Sequence, residues 1–183
     1  MPDRILCLAA LAIAAMAASG AVSAAERYGF GRPATPQEIA GWNIDVSPSG
    51  AGLPPGRGDV KEGEAIYAAK CAACHGLHGE GKPMPRLAGG LGTLRDKKPV
   101  KTVGSYWPYA TTLFDYVRRA MPLDAPQSLT PDEVYAVSAY VLFLNGIVPQ
   151  DATLDADTLA KIKMPNRDGF VSAYRPPGGG AKP

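Results

Sequence analysis

Cys71-Ala72-Ala73-Cys74-His75 decides how the rest of the chain is read. Two cysteines three positions apart, with a histidine directly after the second, form the attachment sequence of a c-type haem. The spacing has a physical reason. Two thiols so placed can add to the two vinyl groups on one edge of a porphyrin, while the next residue sets an imidazole beneath the iron. His75 is then the proximal ligand, and Cys71 and Cys74 are the covalent tethers. A group held in this way is not lost on dilution or oxidation, which suits one-electron transfer outside the cytoplasm. The rival reading of the pentapeptide is a disulfide or a metal-binding turn.

The chain of 183 residues has room for one domain of ordinary size plus extensions. Its 21 Gly and 18 Pro crowd towards the two ends, so regular structure is expected in the middle. The formal charge, 19 minus 17, is +2, and removing residues 1–24 takes away Asp3 and Arg4 and leaves it there. Nothing in that balance points to nucleic acid. Arg4, the 14-residue apolar run from Ile5 to Ala18 and the small residues Ala21-Val22-Ser23-Ala24-Ala25 read as a secretory signal over 1–24. The run is too short to cross a bilayer, so no membrane span is expected after cleavage and the mature protein is expected in the periplasm. Cys7 leaves with the signal, and Cys71 and Cys74 are then the mature chain's two cysteines.

Residues 25–58 read as an N-terminal extension and linker with one helical turn, because Thr35-Pro36-Gln37-Glu38 pairs a capping hydroxyl with a glutamate three residues on and a proline at the first helical position. Tyr28, Phe30 and Trp42 are heavy apolar groups for such an arm; they either pack back or dock a partner. At Asp59 the composition changes. Asp59 and Glu62 cap a helix through Val60, Ile66, Tyr67 and Lys70 that leads into Cys71. Gly63 costs that helix about 1 kcal/mol relative to alanine, so a second helix is expected to cross there. The candidate is Thr130 to Asn145, with a capping box at Thr130 and Glu133, Gly146 past its end, and Val134, Val137, Tyr140, Val141 and Leu144 as its apolar stripe. A third helix spans roughly Thr111 to Ala120, with Leu113, Phe114, Tyr116 and Val117 inward and Asp115, Arg118 and Arg119 in water. Residues 59–148 are the expected cytochrome domain and 149–183 an interaction tail.

A closed six-coordinate haem needs one more donor, and His78, Met84, Met121 and Met164 are available. His78 lies too close to His75 to reach the far face. Met84, between Pro83 and Pro85, belongs to a loop that should hug the proximal side, and Met164 belongs to the tail. Met121 ends a helix, precedes Pro122 and stands 46 residues after His75, enough chain to return on the other face. Met121 is the expected sixth ligand, with Met84 and Met164 as the alternatives. A thioether favours the ferrous state, so His/Met ligation raises the potential and leaves no open position for oxygen or peroxide. In Pro83-Met84-Pro85-Arg86-Leu87 a carbonyl, first that of Pro85, is placed to accept the free ring N–H of His75. Trp107 either donates to a haem propionate or lines the pocket wall. Lys82, Arg86, Arg95, Lys97, Lys98 and Lys101 flank the expected haem edge and could steer an acidic partner.

At Cys71 to His75, the Gly63 and Tyr67 pair, Pro85-Arg86-Leu87, Met121-Pro122 and the last helix, the chain resembles the class I cytochromes c. The resemblance implies an all-α fold of three main helices around one covalent haem, here with irregular N- and C-terminal extensions. A narrower resemblance covers nearly the whole mature chain. Tyr28 to Thr35, Leu53 to Gly56, Pro99 to Ala110 and Phe114 to Pro122 are similar to the cytochrome subunits of sulfane dehydrogenases of the Sox sulfur-oxidising system. It implies a molybdenum-cofactor catalytic subunit as partner, a downstream acceptor cytochrome, and Cys71, Cys74, His75 and Met121 as the haem residues. Related subunits serve sulfite-oxidising molybdoenzymes. With one attachment motif, any second haem must come from another protein.

Overall fold

Each of the three expected capping boxes forms. Thr35, Asp59 and Thr130 each accept the backbone N–H of the glutamate three residues on, and that glutamate reaches back to the cap. The computed structural model describes residues 30–173, so the expected signal over 1–24 and Tyr28 lie outside the described residues. The chain divides into two compact units, Met1–Asn43 and Ile44–Pro183. In the first, α1 (Pro36–Trp42) is held by its cap and by Arg32, which pairs with Glu38 at 2.5 Å and draws that carboxyl down to about 2. Ile39 and Trp42 are exposed, Trp42 to 88%.

The second unit runs β1 (Arg57–Asp59), α2 (Val60–Lys70), α3 (Ala72–His75), a 3₁₀ turn at Thr93–Arg95, α4 (Val103–Tyr106), α5 (Ala110–Ala120), α6 (Pro131–Leu144), β2 (Thr153–Asp155) and α7 (Ala156–Leu159). The long helices are those expected. α2 crosses α6 at Gly63, where a Cβ would stand 1.9 Å from the Ala136 carbonyl oxygen and 2.9 Å from Tyr140 Cβ. One turn on, the Tyr67 and Tyr140 rings meet at 5.2 Å, and Lys70 at the end of α2 pairs with Glu133 at the start of α6, 3.0 Å apart. That pair sets a cation at one helix C-terminus and an anion at the other's N-terminus, the arrangement both dipoles favour.

Three features depart from the expected pattern. α6 has no solvent side over most of its length: every residue from Val134 to Leu142 is buried, because α2, α5 and both strands pack around it. Asp115 and Arg118 do not face water. Residues 44–48, expected as part of an N-terminal extension, lie in the second unit and run across α5, where Asp115 accepts the Val46 N–H at 2.9 Å and an Arg119 hydrogen bond, and Arg118 donates to the Ile44 carbonyl at 3.1 Å. Tyr116 takes the outward position, 48% exposed, edge-on to Trp107. The tail is tied down through residue 170. β2 pairs antiparallel with β1, setting Arg57 opposite Asp155, and Leu154, Leu159 and Met164 are buried in the core. Beyond them Asn166 donates to the Tyr106 carbonyl at 2.7 Å, Arg167 lies over the Tyr109 ring and Phe170 meets Tyr106 edge-on. Tyr174, the last aromatic of the expected tail, lies outside the described residues.

Candidate functional site

The attachment pentapeptide is delivered by α2 and re-nucleated as its own turn. Cys71 closes α2, giving its N–H to the Tyr67 carbonyl, and its own carbonyl accepts from Cys74 N–H at 3.1 Å and His75 N–H at 3.0 Å. Gly76 then turns the chain at φ +83°, a conformation that favours glycine. A Cβ at Gly76 would also run into the Glu80 carboxylate. Buried Tyr67 fixes that turn by donating its hydroxyl to the Gly76 carbonyl at 3.0 Å, and burial pushes its phenol well above the ordinary range.

His75 Nδ1 lies 2.8 Å from the Pro85 carbonyl oxygen, the contact expected from the sequence. A carbonyl only accepts, so Nδ1 carries the proton, and in the neutral ring Nε2 is the nitrogen with the lone pair. The loop between them is laced to the motif: Gly81 N–H to the His75 carbonyl at 2.7 Å and Met84 N–H to the Cys74 carbonyl at 2.9 Å. Leu87 and Ala88 both donate to the Gly79 carbonyl.

The four candidate sixth donors separate by environment. His78 is exposed, its backbone held by Glu80 at 2.7 Å. Met84 is bonded into the loop on the His75 side and is 38% exposed. Met164 is 1% exposed and packed in the core. Met121 caps α5, is part-buried and packs against the core cluster, as does Trp107.

Both thiols are free of a disulfide. Burial pushes Cys71 up to about 11, whereas Cys74 is exposed. At pH 8 only about one Cys71 in a thousand is then thiolate. Iodoacetamide should therefore label Cys74 of the haem-free chain well before Cys71, as peptide mass spectrometry would read; equal rates would contradict the buried placement of Cys71. Among the described residues no three His, Cys, Asp or Glu side chains gather as a metal site, so the metal-binding-turn reading finds no further ligands there. Nor is any described helix long and apolar enough to cross a membrane.

Sequence reading missed one residue of this region. Asn145 is the expected end of the last helix, with Gly146 beyond it, yet its side chain is buried and bonds the loop after Pro85. A buried amide at a helix C-cap leaves no trace in hydrophobic periodicity.

Three helices around a Cys-x-x-Cys-His turn, with an imidazole held by a proline carbonyl, define a c-type cytochrome. The cytochrome c family model matches residues 60–145. The chain belongs to the cytochrome c family, whose members carry covalently bound haem c and transfer electrons. Over 78% of its length it is 48% identical to a chain of the sulfane dehydrogenase SoxCD from Paracoccus pantotrophus, covering 71% of that chain with a TM-score of 0.74. No curated protein matches it.

Proposed function

We propose that the protein is a periplasmic single-haem cytochrome that takes electrons, one at a time, from a molybdenum-cofactor subunit oxidising sulfane sulfur and passes them to an acceptor cytochrome. Cys71 and Cys74 would hold the haem through thioethers, and His75 Nε2 and the Met121 sulfur would be the donors to its iron. The donor set fits that group. Two unpaired thiols flank one short turn, the imidazole is held through Nδ1–H so that Nε2 is the nitrogen left for a metal, and a soft sulfur stands part-buried at the end of a helix. When bound, the group would supply the one-electron couple; the chain orients the residues that would ligate it.

The observation that carries the partner is the 48% identity to a chain of SoxCD over most of both chains, well beyond the 60–145 cytochrome domain itself. Within the remaining segments of the mature chain, 25–58 and 149–183, the surfaces not packed on the chain's own core meet the catalytic subunit, with exposed Trp42 and Ile39 as anchors. Residues 1–24 direct export.

Purification of the untagged native protein tests this. The expected result is a large molybdopterin-containing chain in stoichiometric company, and reduction of the haem by protein-bound sulfane. Elution alone would mean a free diffusible carrier, and reduction by sulfite instead would make the partner a sulfite dehydrogenase; either overturns the proposal.

A further inference from the structure

We infer that Asn145 is a positioning residue for His75, acting through the loop that presents the Pro85 carbonyl. The inference rests on the proposed role of His75 as proximal ligand. Asn145 closes α6, far from His75 in sequence, and is 5% exposed. Its side-chain amide is fully engaged on both sides. Nδ2 donates to the Leu87 carbonyl at 3.1 Å and to the Val141 carbonyl at 2.8 Å, and Oδ1 accepts the Gly89 N–H at 3.1 Å. Gly104 presses against it: a Cβ there would stand 2.3 Å from Oδ1, so the amide has no room to rotate away.

The geometry of the loop makes those bonds matter at the ring. Upstream, the chain is tied to the attachment motif by Met84 N–H on the Cys74 carbonyl. Downstream, it is tied at Leu87, Ala88 and Gly89 by the Gly79 carbonyl, by the Val103 N–H on the Leu87 carbonyl at 3.3 Å, by Asn145 and by Thr102, whose hydroxyl donates to the Gly89 carbonyl at 2.7 Å. Pro85 and Arg86, between the two ties, are exposed, and proline has no N–H with which to anchor itself. The position of the Pro85 carbonyl is therefore set by its neighbours, and among the described residues Asn145 is the one side chain that bonds both Leu87 and Gly89. A fixed acceptor orients an imidazole and makes it a more basic ligand, which favours ferric iron. Freeing the loop weakens that bond and favours the reduced form.

The test compares holo wild type with Asn145→Ala and with Val134→Ala, a core truncation at the opposite end of the same helix. Two quantities are read: exchange of the His75 Nδ1–H with solvent in the reduced protein, by NMR, and the reduction potential. Asn145→Ala should speed the exchange about tenfold through local opening of the loop. It should also favour reduction about threefold, which at 59 mV per decade is a rise of about 28 mV. Val134→Ala should lower the melting temperature and move neither. Unchanged exchange and potential in Asn145→Ala, or equal changes in Val134→Ala, would overturn the inference. If Asn145→Ala does not accumulate with haem, Asn145→Ser, which keeps a small polar side chain but cannot span Leu87 and Gly89, is read in the same way. Failure of the ligand assignment looks different: wild-type His75 ring protons would then lack the large upfield ring-current shift expected of an imidazole bound over a porphyrin.

Discussion

Gly63→Ala should destabilise the folded protein even though alanine is the better helix former. At an open helical site the exchange would stabilise by about 1 kcal/mol. Here the new Cβ would stand 1.9 Å from the Ala136 carbonyl oxygen and 2.5 Å from its carbon, against backbone that cannot swing aside. α2 and α6 must separate, and separation also opens the Tyr67–Tyr140 contact one turn away. Overpacking of this kind costs about 1–3 kcal/mol and occasionally more. The expected net loss is about 1–2 kcal/mol for alanine and above about 3 kcal/mol for Gly63→Val, whose two further methyl groups enter the same gap. For a chain of this size each kcal/mol lowers the melting temperature by about 2–4 °C, so the valine variant should melt roughly 10 °C lower while keeping its haem. Urea titration with an unchanged slope would confirm that the loss is of stability rather than of two-state behaviour. A stabilised alanine variant would mean that the helices cross elsewhere.

That crossing was legible because it leaves a local mark: a glycine inside a well-capped helix is expensive unless something needs its missing side chain. The caps at Thr35, Asp59 and Thr130 were legible for a related reason, since each is a contact across three residues and needs no knowledge of the fold. The contact of His75 with Pro85 also falls within one short loop. What stayed hidden is long-range and polar. Asp115 sits among charged neighbours on a helix, and periodicity assigns it to water; it turns inward because Val46, 69 residues earlier, brings an N–H to it. The pairing of Arg57–Asp59 with Thr153–Asp155 joins segments of three residues each, too short for alternation to register. α6 was read with a stripe because Val134, Val137, Tyr140 and Val141 recur at helical spacing. Its other face is filled by Tyr135, Ala136, Ser138 and Ala139, small or polar-tipped residues that admit close neighbours but mark a buried face less sharply than the aliphatic side chains of the stripe.

Met121→Ala should have the largest effect on the proposed redox chemistry, and the comparison with the other methionines makes it decisive. A thioether is a soft donor that stabilises ferrous iron. Its removal should abolish the weak sulfur-to-iron absorption near the red edge of the oxidised spectrum. The potential should fall by on the order of 0.1–0.2 V, a fraction of the ~0.8 V that axial ligands span across haem proteins. The reduced protein should also bind carbon monoxide rapidly, where the wild type does not. Met84→Ala should change none of these, because Met84 is held on the His75 side by its bond to Cys74 and is 38% exposed. Met164→Ala separates stability from ligation. Met164 is 1% exposed, so its truncation should leave a cavity and cost about 2–5 kcal/mol while the red-edge band persists. Spectroelectrochemistry and carbon monoxide titration of the three variants read every one of these outcomes. A band that survives in Met121→Ala and vanishes in Met164→Ala would mean that the tail, and not the end of α5, supplies the sulfur.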